Sequence, residues 1–294
     1  MKGRISSTAA RTALFSAGVL AIGCAIAPLA IVRLANAADA SAWDGEPRAA
    51  VRLIAGAASN ANGATLVRAG IEVKLGPGWK TYWRYPGDSG VPPRFDFGRS
   101  ENVQAVSVLW PAPHAFTDES GHSIGYKGEV IWPLHIVPRD PAKPVVLRLD
   151  LDYAVCEKLC VPADAKAELV LTGKPGAFEP ALIASEARVP KPATLGSGDA
   201  LAIKAVSRDD KGPHPRIIID VAAPRDSIVE LFAEGPAPDW ALPIPASIDG
   251  APAGLRRFAF DLDGVPPGAS PAGAKLRLTA TTGETAIEVA APLD

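Results

Sequence analysis

The stretch VVLRLDLDYAVCEKLCVPADAKAELVL, residues 145–171, sets the character of the chain. Val145, Leu147, Leu149 and Leu151 alternate with Val146, Arg148, Asp150 and Asp152, the period-two pattern of a half-buried strand that runs straight towards Cys156. A second strand-like run, 167–171, follows Cys160. The two cysteines therefore sit between strands and not at a helix N-terminus, so no helix dipole is expected to activate them. Working outward, runs of the same kind lie at 70–75, 103–110 and 129–137, separated by turn chemistry: GPG at 76–78, PGDSG at 86–90 and PAP at 111–113. The 29 prolines and 27 glycines are spread along the chain and punctuate short alternating runs instead of long helical stripes. This is the rhythm of an all-β protein, and a sandwich is the expected architecture.

After Thr172 the pattern changes. Residues 179–189, EPALIASEARV, predict one short helix, and PKPATLGSGD at 190–199 reads as a linker rich in Pro, Gly and Ser. A second β-rich block follows, with strands expected at 201–206, 216–222, 228–233, 256–262, 275–280 and 286–290. The expected organisation is a first sandwich over 38–175 that holds the cysteine pair, a linker with a short helix over 176–199, and a second β-sandwich over 200–294.

The N-terminus reads as an export signal. Lys2, Arg4 and Arg11 precede an apolar run from Ala13 to Val32, and Ala35-Asn36-Ala37 forms an A-x-A cleavage pattern, so residues 1–37 are read as a signal peptide and Ala38 as the mature start. The run is long enough to span a bilayer, but Pro28 interrupts it and its small-residue ending favours cleavage over anchoring. A lipoprotein start at Cys24 is disfavoured because Ala21 stands where leucine is usual. Export would leave Cys156 and Cys160 as one possible pair in a periplasmic compartment where disulfides persist. With 30 basic and 32 acidic residues the formal net charge is −2, which gives no electrostatic footprint for nucleic acid or an anionic membrane.

Three readings of the pair stand side by side. As a staple, a disulfide closing so short a loop contributes about 2 kcal/mol on the chain-entropy model, a modest gain for a chain long enough to build its own core. As a redox pair, CEKLC has three intervening residues and is not the thioredoxin CxxC. As a metal site for zinc or copper it needs further ligands. The motif holds none, and His114, His122 and His135 would have to approach through the fold, so no metal and no cofactor are assigned. Asp88, Ser89 and His122 lack a nucleophile-elbow pattern and do not make a hydrolase. Trp79, Tyr82, Trp83 and Tyr85 crowd one short stretch, read first as core and second as a docking or thiol-shielding surface. PGDSG reads as a tight turn, and Tyr153 as either packing or a hydrogen-bonding neighbour of the sulfurs.

Four ordered blocks carry a resemblance: GPGWKTYWRYPGDSGVPPRFDF at 76–97, WPAPHAF at 110–116, GYKGEVIWPLHI at 125–136 and YAVCEKLCVPA at 153–163. Together they resemble the N-terminal periplasmic domain of the DsbD thiol:disulfide interchange proteins, in the branch that includes the ScsB-type reductases. The resemblance implies an immunoglobulin-like sandwich whose cysteines shuttle between dithiol and disulfide. It also implies electron transfer from a thioredoxin-like partner or membrane electron transporter to oxidised periplasmic proteins. On the family pattern Cys160 makes the mixed disulfide and Cys156 resolves it; by their place in the sequence Tyr153 and Pro162 are expected near the pair. A cap loop shields the dithiol; by order along the chain it corresponds to 114–126, with Phe116 as the shield, Asp118 and Glu119 as groups that influence the thiols, and Tyr126 at its end. The cysteine spacing is shorter than in the best-known members. Neither a multi-helix membrane domain nor a thioredoxin-like domain follows in this sequence, so a stand-alone form that takes its electrons from a separate protein is expected.

Overall fold

The structure, a computed structural model, describes residues 38–293 apart from 62, 89, 119, 120 and 213. The expected signal peptide and Glu119 lie outside the described residues. Along the first block the strands are β1 (Asp44–Glu46), β2 (Ala49–Ala61), β3 (Ala64–Leu75), β4 (Lys80–Gly87), β5 (Arg94–Asp96), β6 (Val103–Val108), β7 (His114–Asp118), β8 (Gly121–Lys127), β9 (Glu129–Pro138), β10 (Val145–Cys156) and β11 (Cys160–Leu171). They form two sheets, one in the order β1-β2-β3-β9-β6 and one in the order β11-β10-β4-β8-β7, with β5 paired to β10. The alternating apolar residues of both sheets meet between them: Val51, Leu53, Ile71, Trp132 and Leu134 from one, Trp83, Ile124, Leu147, Leu149 and Leu151 from the other. This is an immunoglobulin-like β-sandwich.

Helix α1 (Glu179–Ala187) lies against β2, β3 and β9 of the first sheet. Pro180 is tolerated in its first turn, where an N–H has no helical partner. Its buried Leu182 drops into a notch that two glycines leave open: a Cβ at Gly56 would come within 2.7 Å of Leu182 Cδ1, and one at Gly70 within 2.6 Å of Cδ2. Arg68 on β3 pairs with Glu179, which fixes the helix along the sheet.

The second block contains β12 (Lys191–Pro192), β13 (Ala202–Asp209), β14 (Arg216–Ala222), β15 (Glu230–Glu234), β16 (Ala246–Ile248), β17 (Leu255–Asp261), β18 (Lys275–Thr281) and β19 (Ala286–Pro292). Its sheets run β12-β19-β18-β15 and β13-β14-β17-β16, and close on a core of Ile217, Ile219, Trp240, Phe258, Phe260 and Leu278. Part of the 190–199 stretch, expected as linker, is strand: Lys191 and Pro192 pair in parallel with Ile287 and Glu288. Proline is accommodated because β12 is the edge of its sheet. The pairing joins segments almost a hundred residues apart, which local composition does not report.

The two sandwiches meet along β4 and β7. Trp83 packs on Phe232 with ring centroids 5.8 Å apart, and Tyr85 donates its hydroxyl proton to the carbonyl of Leu242 at 2.6 Å. Arg84 grips Glu234 through two nitrogens at 3.0 and 2.7 Å and also pairs with Glu288. Burial disfavours the Arg84 cation, but the hydrogen bonds and charges of Glu234 and Glu288 outweigh it and hold the guanidinium protonated. At the start of β7, Glu230 accepts from the backbone N–H of Ala115 at 2.8 Å and faces His114 Nδ1 at 2.9 Å.

The hydrogen bond to Glu230 raises the pKa of His114, with burial opposing it. A raised folded-state value means that this pair stabilises the fold fully below the unfolded value, about 6.5, and loses its effect as the pH rises through the folded value. His114→Gln, which removes the charge, is expected to lower stability by a few tenths to about 1 kcal/mol at mildly acidic pH and to match the parent at alkaline pH. Urea titrations at both pH values check this; an equal deficit at both would mean that the charge of His114 contributes nothing.

Candidate functional site

Strands β10 and β11 form one continuous antiparallel hairpin, from Val145 opposite Leu171 to Cys156 opposite Cys160, closed by Glu157, Lys158 and Leu159. The backbone N–H of Lys166 donates outward to Asp44 Oδ2 at 2.6 Å. By the alternation of an antiparallel ladder, Cys160, six residues earlier, also turns its backbone away from β10, so Cys156 and Cys160 occupy a non-hydrogen-bonded pair, where side chains stand nearest. Their Cα atoms are 4.1 Å apart and the sulfurs are joined in a disulfide. The two sulfurs differ in access: Cys156 is 2% exposed, whereas Cys160 is exposed beside Leu159, itself 76% exposed.

The next strand inward, β4, supplies the floor. Lys80 stands opposite Cys156 and Thr81 opposite Val155, and Thr81 Oγ1 donates to the carbonyl of Ala154 at 3.0 Å. Tyr82 packs with Ala154 and Cys156 in a small apolar cluster and directs its hydroxyl to Cys160 Sγ at 3.1 Å. A disulfide sulfur has no proton, so the phenol is the donor. Gly90, just beyond β4, lies flat on the Tyr82 ring; a Cβ there would fall 2.3 Å from Cε1, and its φ of +126° already demands glycine. The buried Lys80 ammonium donates to Ser123 Oγ on β8 at 2.8 Å.

The residues singled out from the sequence fall into two groups. Pro162, opposite Ala154, shares the strand face of Cys160. Phe116 is partly buried on β7, two strands from β4 in the same sheet, with Lys127 Nζ 4.4 Å from its ring centroid. Tyr126 and Tyr153 belong to the inner face. Tyr126 is buried in the core and donates to the carbonyl of Pro111 at 2.8 Å, and burial pushes its phenol up. Tyr153 also joins the core, and burial and then the charge of Asp44 raise its phenol to about 12. Asp118 ends β7. The segment 114–126 is a hairpin in which His114 pairs with Gly125 and Asp118 with Gly121.

Tyr82, Gly90 and Lys80 are the neighbours of the pair that sequence reasoning did not select. Tyr82 was visible only as one of four crowded aromatics, and Gly90 only as a turn residue. An open cavity of about 440 Å³ lies beside the hairpin, lined by Val91, Pro92, Arg94, Ala154 and Pro162 among others. Among the described residues, no three His, Cys, Asp or Glu side chains are grouped so as to hold a metal ion.

Comparison with known proteins bears on this geometry. Residues 53–172 match the family model for thiol:disulfide interchange protein DsbD, N-terminal. Among solved structures, the chain is similar to the N-terminal periplasmic domain of ScsB from Proteus mirabilis, at 25% identity and a TM-score of 0.67, over 86% of this chain and 97% of that one. That share exceeds the stretch 53–172, so the likeness extends beyond the family match. A search of curated proteins found no match.

Because the cysteine pair lies outside the main core of the sandwich, reduction is expected to leave the fold intact and to cost about 2 kcal/mol of stability. Denaturation of the reduced and oxidised forms measures the difference. A pair that resists reductant until the protein unfolds would mark the disulfide as a staple.

Proposed function

Residues 53–172 match the family model of DsbD N-terminal domains, and from that match we propose that the Cys156–Cys160 pair is the working centre of a periplasmic thiol–disulfide exchange. A thioredoxin-like partner or a membrane electron transporter supplies the electrons, and oxidised periplasmic proteins receive them. The observation that carries this reading is the asymmetry of the pair: Cys160 is exposed while Cys156 is 2% exposed.

Exchange needs a thiolate to approach one sulfur along the axis of the disulfide. A partner thiolate attacks Cys160 Sγ, the bond to Cys156 breaks, and Cys156 leaves as thiolate and takes a proton from solvent. A second partner thiolate then attacks the partner's own sulfur in the mixed disulfide and releases Cys160. The partner is left as a disulfide and this protein as a dithiol. Reversal of the same steps on an oxidised protein passes the two electrons onward, with Cys160 as nucleophile and Cys156 as the resolving thiol.

Cys156→Ser is therefore expected to trap a mixed disulfide through Cys160 with a thioredoxin-like protein, and Cys160→Ser to trap much less. Equal trapping, or trapping mainly through Cys156, would reverse the roles. A redox pair should also equilibrate with glutathione well above the potential of structural disulfides, which lie below about −300 mV.

The β7–β8 hairpin serves in this reading as the shield of the dithiol, with Phe116 its apolar part. What supports it is the position of Phe116 in the sheet that carries Cys156, with Lys127 at the end of β8 over its ring. Phe116→Ala should speed alkylation of the reduced cysteines several-fold by a small reagent with little loss of stability. An unchanged rate would remove the hairpin from the mechanism.

A further inference from the structure

The phenol of Tyr82 is 3.1 Å from Cys160 Sγ, the sulfur that the exchange reading makes the reactive one. Tyr82 is 1% exposed, so its ring is held by protein on all sides. Ala154 and Cys156 pack against it from β10, and Gly90 closes over its face with no room for even a methyl group. A hydroxyl carried on a ring so confined does not swing away when the disulfide opens.

We propose that Tyr82 is a catalytic group of the exchange, donating its hydroxyl hydrogen bond to Cys160 Sγ whenever that sulfur carries negative charge, and that Gly90 is the positioning residue that keeps the ring in place. This rests on the reading of Cys160 as the reactive cysteine. The charge appears on Cys160 at one step in each direction. When the protein is reduced, Cys160 leaves the mixed disulfide as thiolate while the partner closes its own disulfide. When the protein reduces a target, the Cys160 thiolate attacks one target sulfur, the target disulfide breaks, and its other sulfur departs as thiolate and is protonated by solvent. Tyr82 stays protonated throughout and contributes a charge-assisted hydrogen bond, which is stronger than a neutral one. The disulfide sulfur, being neutral, accepts only weakly, so the contact gains strength as the bond breaks, which is the condition for lowering a barrier.

Other ionisable groups surround the pair. Lys80 shares β4 with Tyr82, Lys127 lies opposite Lys80 on β8, Glu157 and Lys158 form the turn, and Asp152, Asp164 and Arg94 stand further down the hairpin. Their charges act on Cys160 whether or not Tyr82 keeps its hydroxyl, so replacing the tyrosine by phenylalanine isolates the hydrogen bond from them.

The test is the pH dependence of alkylation by iodoacetamide in the fully reduced protein, resolved at Cys160 by mass spectrometry. Tyr82→Phe should raise the midpoint by about one unit, about a tenfold loss of thiolate at neutral pH. Above the midpoint the variant should react as fast as the parent or faster, because nucleophilicity rises with thiol basicity. Gly90→Ala, which retains the hydroxyl but displaces the ring, should shift the midpoint in the same direction, and the double variant should shift it no further than Tyr82→Phe. A Tyr82→Phe profile that superimposes on the parent overturns the proposal. If that variant does not fold, an unchanged midpoint in Gly90→Ala does so. Alkylation needs no partner protein: a shifted midpoint in a protein that exchanges with no thioredoxin-like protein would overturn the functional reading and leave Tyr82 its hydrogen bond, whereas normal exchange with no shift would overturn the role of Tyr82 alone.

Discussion

Strand β4 is the constraint on which the rest of the molecule depends, because alternation along a strand gives its residues to two environments at once. Thr81, Trp83 and Tyr85 are buried, Trp83 and Tyr85 within the core of the first sandwich. Lys80 and Tyr82, turned the other way, form the floor under the cysteine pair, and Arg84 on that same side reaches into the second sandwich. A shift of one residue in the pairing of β4 would exchange these sets, burying Arg84 in the core and withdrawing the phenol from the sulfur. The register is held by Thr81, which donates to Ala154, and by Gly125 on β8, where any Cβ would collide with the Thr81 carbonyl at 1.9 Å.

Aromatic packing keeps the sandwich rigid beneath this strand. Phe95, Trp110, Tyr126 and Trp132 meet edge to face with centroids 5.3 to 6.1 Å apart, the arrangement that ring quadrupoles favour. Phe95 enters this group from β5, a short strand paired to β10 just below the hairpin tip. The strand that ends in Cys156 is thus braced on both edges, by β11 on one side and by β5 and β4 on the other. A braced hairpin presents its sulfurs at a fixed place, and opening the disulfide releases three turn residues without loosening the strands.

Much of this architecture was legible in the sequence, since period-two alternation in 145–152 or 129–137 reports local burial, and the helix at 179–187 announces itself by composition. Strands β1, β2, β4, β5, β7, β8, β12 and β16 were not among the expected runs: the shortest have too few residues to show a period, and β7 and β8 lie in the segment expected as a cap loop. The cysteine pair was legible as chemistry. Its surroundings were not: Tyr82 reaches Cys160 across 78 residues of chain, and nothing in the run KTYWRY separates the tyrosine facing a sulfur from the tyrosine facing a carbonyl until the pairing of β4 is known. Tyr126 and Tyr153 illustrate the same limit from the other side. Each lies within a few residues of the motif that drew attention to it, yet strand parity turns each into the core.

The seam between the sandwiches has a consequence for any attempt to divide the protein. Cutting the chain in the segment that leads out of α1 would leave a first sandwich with Trp83 stripped of Phe232, the Tyr85 hydroxyl without the Leu242 carbonyl, and a largely desolvated guanidinium without its two carboxylates. Such a fragment would carry a sticky aromatic edge next to the strand that floors the dithiol. The second sandwich covers that edge, so the two sandwiches are packed against each other as one unit.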